Sequence, residues 1–300
     1  MEKKNIVITG ATGLLGSYLL PLLTADNDVW AISQNPPEGD SSVSWIRYDL
    51  SGELDGLRDH LPEQIDAVVH LAQSPHFREF PQRAGHVFQV NVASTQFLLQ
   101  EAAERGCRHF VNASTGGVYD SAATPFVEDD VRVTGKTIGF YPASKQCGEL
   151  LVNAYGGLFN VVNLRFFFIY GRGQSESMLI PRLVHSVQNG LPITLQGNDG
   201  LSLNPVHASD ASKAVIAALE LEGTHSLNVA GEDVVTLRKV GELIGISLGK
   251  TPEFDARQDQ QAPSMEADIT RMCQCLGRPQ KGISEGLADY CNYYLEVKAN

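Results

Sequence analysis

NIVITGATGLLG, residues 5–16, sets an apolar, β-branched run directly against a group of three glycines. Asn5–Thr9 has the pattern of a strand buried on both faces, as in a parallel sheet. A helix follows to about Leu23, and Pro21 inside it is expected to kink it or end it early. Gly10, Gly13 and Gly16 therefore fall at a strand-to-helix junction. The first can make the tight turn, the second lets backbone approach a pyrophosphate, and the third permits close packing of helix on sheet. The free N–H groups and the dipole of a helix N-terminus favour an anion there. The other reading of the same spacing is a tight junction that holds no ligand.

Outward from this junction, strands and helices alternate. Strands are expected at Asp28–Ser33, Ser44–Tyr48, Asp66–Leu71, His109–Ser114 and Asn160–Phe166. Helices are expected at Leu54–Leu61, Val87–Arg105 (stopped by Gly106) and Tyr141–Phe159. Ala72–Arg83 and Gly116–Gly139 read as loops. This alternation is what a doubly wound parallel sheet requires, an α/β fold of Rossmann type over residues 1–173. After Gly173 the pattern loosens. Met178–Asn189, Ala208–Leu221, Leu237–Ile246 and Gly282–Leu295 read as helices, and Ile193–Leu195 and Ser226–Val229 as strands. Residues 174–300 are assigned mainly to a smaller C-terminal substrate-binding lobe, with about 204–229 returning to the main sheet.

Three hundred residues suffice for such a unit with an appended lobe. The formal net charge of −12 argues against nucleic acid and anionic membrane surfaces as partners. No stretch reaches the roughly 18 apolar residues of a membrane span, and the N-terminus carries no secretory signal. A cytoplasmic location is expected. The five cysteines, Cys107, Cys147, Cys273, Cys275 and Cys291, are odd in number and match no disulfide or metal spacing. They read as reduced thiols, and no metal site is expected.

Tyr141 and Lys145, in Tyr-Pro-Ala-Ser-Lys, share one helix face. An ammonium beside a phenol lowers the phenol's pKa, so the tyrosinate can take a proton from a substrate hydroxyl as hydride leaves the same carbon. Thr115, just past a strand, can orient the substrate oxygen. The alternative is a surface pair and a turn threonine. An acid at the end of the second strand would bond the adenosine ribose and reject a 2′-phosphate. Ser33 stands there, followed by Gln34 and Asn35, and no arginine adjoins it, although Arg47 lies on the next strand. The cofactor is therefore NAD or NADP. Asp49 could accept from the adenine amino group or could serve as a cap or turn residue.

These residues resemble the extended short-chain dehydrogenase/reductase family, in its NAD-dependent epimerase/dehydratase branch. The likeness runs through Thr9–Gly16, Asp49-Leu50, His70-Leu71-Ala72, Asn91-Val92 with Thr95, Ser114-Thr115 with Val118-Tyr119, and Tyr141 with Lys145. It continues in Leu164-Arg165, Tyr170–Gln174, Val206-His207 with Asp210, Leu227–Val229, Ala267–Ile269 and Leu276-Gly277. The resemblance implies that Thr115, Tyr141 and Lys145 are catalytic, with Asn91 supporting them through a water and a backbone carbonyl. It implies a cofactor wall of Gly10, Thr12, Gly13, Leu14, Gly16, Ser33, Asp49, Leu50, Leu71 and Ala72, joined by Tyr141 and Lys145. It also implies hydride removal from a nucleotide-linked sugar, commonly at C4, and a homodimer formed through the helices Val87–Arg105 and Tyr141–Phe159.

The departures narrow the chemistry. Dehydratases of this family carry an Asp-Glu pair after the threonine, where this chain has Gly116-Gly117, so 4,6-dehydration is not expected. The family's Arg-Asp-Phe run, whose arginine helps hold the nucleotide diphosphate, is Ser202-Leu203-Asn204-Pro205. Arg165, Arg172 and Arg182 are candidate substitutes or else structural salt-bridge partners, Arg165 being the most structural in character. The asparagine two residues before Tyr170 in the family is Phe168 here. His76, Phe77, Arg78 and Phe80 lie in the loop beside the cofactor cleft, where ligands bind in such sheets. His76, Thr115, Phe168, Arg172, Arg182 and His207 are taken as candidate substrate contacts, His207 also having a packing reading. The leading function is nucleotide-sugar epimerisation. The alternatives are net oxidation or reduction of a nucleotide sugar or smaller hydroxy/keto compound, and cofactor binding without catalysis.

Overall fold

Ile6 and Ile8 pack into the apolar layer on one side of the central sheet, and Val7 between them packs into the layer on the other side. This double burial is why β1 (Asn5–Thr9) is apolar almost throughout. The computed structural model of the protein describes residues 3–119, 125–130 and 139–299. The loop expected over Gly116–Gly139 lies partly outside them.

After β1 come α1 (Leu14–Thr24), β2 (Asp28–Ser33), β3 (Ser44–Arg47) and β4 (Ala67–His70). The chain continues through α2 (Ala84–Phe88), α3 (Ser94–Glu104), β5 (His109–Thr115), α4 (Phe140–Ala154), β6 (Asn160–Phe166), α5 (Leu179–Gln188), β7 (Ile193–Gln196) and β8 (Ser202–Leu203). It ends with α6 (Ala208–Ala218), β9 (Thr224–Val229), β10 (Val235–Thr236), α7 (Leu237–Leu248), β11 (Phe254–Arg257), β12 (Ser264–Met265), α8 (Thr270–Cys275) and α9 (Ile283–Ala299). Seven parallel strands form the main sheet in the order β3-β2-β1-β4-β5-β6-β9. The strand order reverses at β1/β4, the place where a doubly wound sheet opens a crevice.

α1 and α6 cover one face of the sheet, and α8 returns to the same layer through Met272 and Leu276. α3 and α4 lie over the other face. α5, α7, α9 and β7 enclose a separate apolar cluster in the smaller lobe. There β8 pairs with β10 and β12, and β7 with β11.

Several elements differ from expectation for local reasons. Pro21 does not end α1, which runs on to Thr24. It sits exposed, and Ser17, whose carbonyl loses its donor, is exposed as well. The expected helix at Leu54–Leu61 is a 3-10 helix over Asp55–His60. The helix expected from Val87 starts at Ala84 and carries a π turn at Gln89–Ala93. Side-chain hydroxyls donate to the carbonyls this turn displaces, Ser94 to Val90 O (2.6 Å) and Thr95 to Asn91 O (2.9 Å). α4 stops at Ala154 rather than Phe159, just before the Gly156-Gly157 pair. The two-residue strands β8, β10 and β12 are too short to leave a period in the sequence.

Candidate active site

A cavity of about 1200 Å³ opens beyond the carboxyl ends of β1, β2, β4 and β5. It exceeds the roughly 300–1,000 Å³ of ordinary ligand pockets, which leaves room for more than one bound molecule. One end is the glycine junction. Gly10 has φ +72°, and a Cβ there would stand 2.9 Å from Leu71 C and Ala72 N. A Cβ on Gly16 would stand 2.3 Å from Gly10 O, so only glycine lets α1 seat on the turn. No side chain caps α1, and its first N–H groups are left for an anion. Gly10, Thr12, Gly13, Leu14, Gly16, Ser33, Asp49, Leu50, Leu71 and Ala72 all line this part of the cavity. The cradle fits a dinucleotide.

β1 is tied to β4 by a buried chain of hydrogen bonds. Ala72 N–H donates to Thr9 Oγ1 (3.1 Å), which lies 2.7 Å from His70 Nδ1, while His70 Nε2 lies 3.0 Å from Thr95 Oγ1. The Thr95 hydroxyl proton is already committed to Asn91 O, so His70 donates from Nε2 and accepts at Nδ1. Burial, reinforced by the Lys145 charge, drives His70 down to about 3, so this neutral tautomer is locked.

Tyr141 stands in the first turn of α4, and Thr115 ends β5. Both line the cavity. The Tyr141 hydroxyl donates to Gln73 Oε1 at 2.9 Å. Burial pushes the phenol up to about 12, with the Thr115 hydroxyl pulling the other way. Thr115 Oγ1 accepts from Gly117 N at 3.1 Å. Lys145 is only 5% exposed and donates to Ala113 O at 2.9 Å. Burial lowers it to about 8, opposed by the Glu149 carboxylate. Glu149 is itself held by Arg165 through two hydrogen bonds of 2.9 and 2.8 Å.

Asn91, expected to support the catalytic groups, is held by side-chain hydrogen bonds to two serines. Its Oδ1 accepts from Ser74 N (2.9 Å) and its Nδ2 donates to Ser144 Oγ (2.9 Å), which donates to Tyr141 O (2.7 Å). Through these bonds Asn91 ties α4 to the loop after β4.

Among the candidate substrate contacts, His76, Thr115 and Phe168 line the cavity; Arg172, Arg182 and His207 do not. Arg172 is drawn off by Asp289 on α9, at 2.6 Å. Arg182 is exposed on α5. His207 is buried edge-on to the rings of Tyr18 and Tyr170 and caps α6 by accepting from Ser209 N at 3.2 Å. His76 reaches the wall with both ring nitrogens engaged, by Glu79 (2.8 Å) and by Arg83 (2.9 Å). Arg165 is buried in its pair with Glu149 and also donates to Tyr119 Oη (3.0 Å).

Gln73 and Phe167 were not singled out from sequence. Only the place of Gln73, directly after Leu71-Ala72, could have marked it. Phe167 explains Gly116, where a Cβ would stand 2.5 Å from the Phe167 ring. The ring fills the space that a side chain after Thr115 would need.

A family model for the NAD dependent epimerase/dehydratase family matches residues 6–230. The dTDP-4-dehydro-6-deoxyglucose reductase of Escherichia coli is 27% identical, over 95% of this chain and 96% of its own. The UDP-N-acetyl-alpha-D-glucosaminuronate decarboxylase of Bacillus cytotoxicus is 26% identical, over 99% of each chain. Among solved structures, MoeE5 in complex with UDP-glucuronic acid and NAD superposes with a TM-score of 0.84 at 27% identity, covering 98% of this chain and 99% of its own.

Proposed function

Because the chain belongs to the NAD-dependent epimerase/dehydratase family, and so is an NAD(P)-dependent enzyme of the extended short-chain dehydrogenase/reductase type, we propose that it epimerises a nucleotide sugar through a keto-sugar intermediate. The observation that carries this reading is the wall formed by Thr115, Tyr141 and the Gly116–Phe167 contact. It supplies a proton carrier for reversible oxidation and no acid–base pair for water loss. The bound cofactor supplies reversible hydride transfer. Tyr141 takes the proton of the sugar hydroxyl and returns it. Thr115 holds that oxygen, and the Lys145 ammonium stabilises the phenolate. A substrate hydroxyl reaches Tyr141 by displacing Gln73 from the phenol.

The second reading, net reduction of a keto sugar, is favoured by the reductase relative. A panel of UDP- and dTDP-sugars with NAD and NADH, read by chromatography with mass detection, separates the two. Epimerisation gives a product of unchanged mass and altered retention. A product two mass units heavier establishes reduction and rejects the epimerase. A loss of 18 mass units would contradict the argument from Phe167.

We take NAD as the preferred cofactor. Around the end of β2 the described lining residues are Ser33, Gln34, Asn35, Tyr48 and Asp49, and Arg47, in register with Ser33 on β3, is not among them. Asp49 is held by Gln34 (3.1 Å) and by Ser51, whose hydrogen bonds keep its carboxyl below the usual range, so it stays ionised. NAD is expected to bind at least about tenfold more tightly than NADP, roughly 1.4 kcal/mol. Calorimetric titration with each checks this, and equal affinities refute it. A homodimer through α3 and α4 fits the exposure of Phe88 and Leu150 on that side.

A further inference from the structure

Arg78 is carried by the loop after β4 and lines the cavity. Its guanidinium lies over the Phe77 ring, 4.9 Å from the centroid, and Phe77 in turn meets the Tyr141 ring at 5.1 Å. The arginine therefore stands beside the reacting end of the cavity, with one aromatic ring between it and the phenol. It also spans to the segment that opens the smaller lobe. Nη1 donates to Ser177 O at 3.3 Å, and Nη2 faces Met178 Sδ at 3.9 Å.

Several exposed arginines are neutralised by acids, Arg172 by Asp289, Arg271 by Asp129 and Arg278 by Glu232, and the other arginine on the cavity wall, Arg83, is taken up by the His76 ring. Among the described residues Arg78 has no such carboxylate, and its hydrogen-bond partners are a backbone carbonyl and a thioether. A guanidinium over an aromatic ring is positioned by it, and each terminal nitrogen, with one hydrogen engaged by Ser177 O or Met178 Sδ, keeps a second N–H with which to receive a carboxylate. Asp49, the acid on the cavity wall, follows β3 and is engaged by Gln34 and Ser51. The charge of Arg78 is thus left for a ligand.

We propose that Arg78 binds a carboxylate borne by the sugar ring, so that the preferred substrates are nucleotide-linked hexuronates; this rests on the nucleotide-sugar reading above. A sugar that presents its reacting hydroxyl to Tyr141 and Thr115 directs its carboxylate across Phe77 to the guanidinium. A diphosphate would need the arginine farther from the phenol.

The test compares kcat/KM for UDP-glucuronate and UDP-glucose, with NAD present, in the wild type, Arg78→Gln and Arg78→Lys. The wild type is expected to favour UDP-glucuronate. That ratio is expected to fall about 10- to 100-fold in Arg78→Gln, the range of a charge-assisted hydrogen bond, and less in Arg78→Lys. A wild type that turns over UDP-glucose as well as UDP-glucuronate overturns the inference and leaves the epimerase reading standing, as does a ratio unmoved by Arg78→Gln. A wild type that binds NAD and transforms neither sugar sinks both. Should Arg78→Gln lose NAD binding, and with it evidence of folding, the ratio in Arg78→Lys decides: a several-fold fall supports the site, and no change rejects it.

Discussion

Tyr141→Phe is expected to lower kcat by about 10²- to 10⁴-fold, the worth of a positioned general acid–base group, while the protein still folds and binds NAD. The substitution removes one oxygen. That oxygen donates to Gln73 Oε1 at 2.9 Å and is the phenol that burial pushes up to about 12. Left alone, such a phenol is a poor base at neutral pH, so catalysis needs a cation to stabilise its anion. Lys145 is the buried cation on the same helix face, and at about 8 it is still protonated at neutral pH. The ammonium is lost as pH rises through that value, so kcat/KM is expected to decline on the alkaline side. Single-turnover rates at saturating substrate check the first claim. A Tyr141→Phe protein that keeps a tenth or more of the wild-type rate would exclude Tyr141 as the proton carrier.

The sequence made the sheet legible because its information is local. Asn5–Thr9 is apolar on both faces, and the glycines that follow sit where backbone meets backbone within a few residues. Gly10 against Leu71-Ala72 and Gly16 against Gly10 O leave no room for another side chain, so composition and geometry coincide there. The substrate side was less legible because its decisive contacts are long-range. Nothing near Arg172 announces Asp289, which lies 117 positions away and removes that charge from the cavity. The reason for Gly116 stands just past the end of β6, in the ring of Phe167. Asn91 shows a third kind of case. Its place in the chain was readable, but its partners Ser74 and Ser144 come from two other elements, and only the structure brings them to it.

The largest expected effect on stability falls on a charge pair beneath the site. Glu149→Ala is expected to cost about 3–5 kcal/mol in unfolding free energy, because it strands a buried guanidinium. Glu149 is 3% exposed and Arg165 4%. The carboxylate accepts two hydrogen bonds from Arg165, whose Nη1 also donates to Tyr119 Oη (3.0 Å) and Glu128 O (2.9 Å). Truncating the acid leaves those contacts and the full positive charge without the anion that offset its desolvation. The double change Glu149→Leu with Arg165→Met removes both charges at similar volume and is expected to cost clearly less than the single change, which is the mark of a stranded ion rather than of a strong bond. Denaturant unfolding of the two single variants and the double variant closes the cycle. A double variant as unstable as the two singles combined would reject the argument. The pair also reaches the active site, since the Glu149 carboxylate raises the Lys145 pKa against its burial. Glu149→Gln keeps the shape and removes that charge. Lys145 then falls further below about 8, and the alkaline decline of kcat/KM is expected to move to lower pH; an unmoved decline would mean that this carboxylate does not tune the lysine.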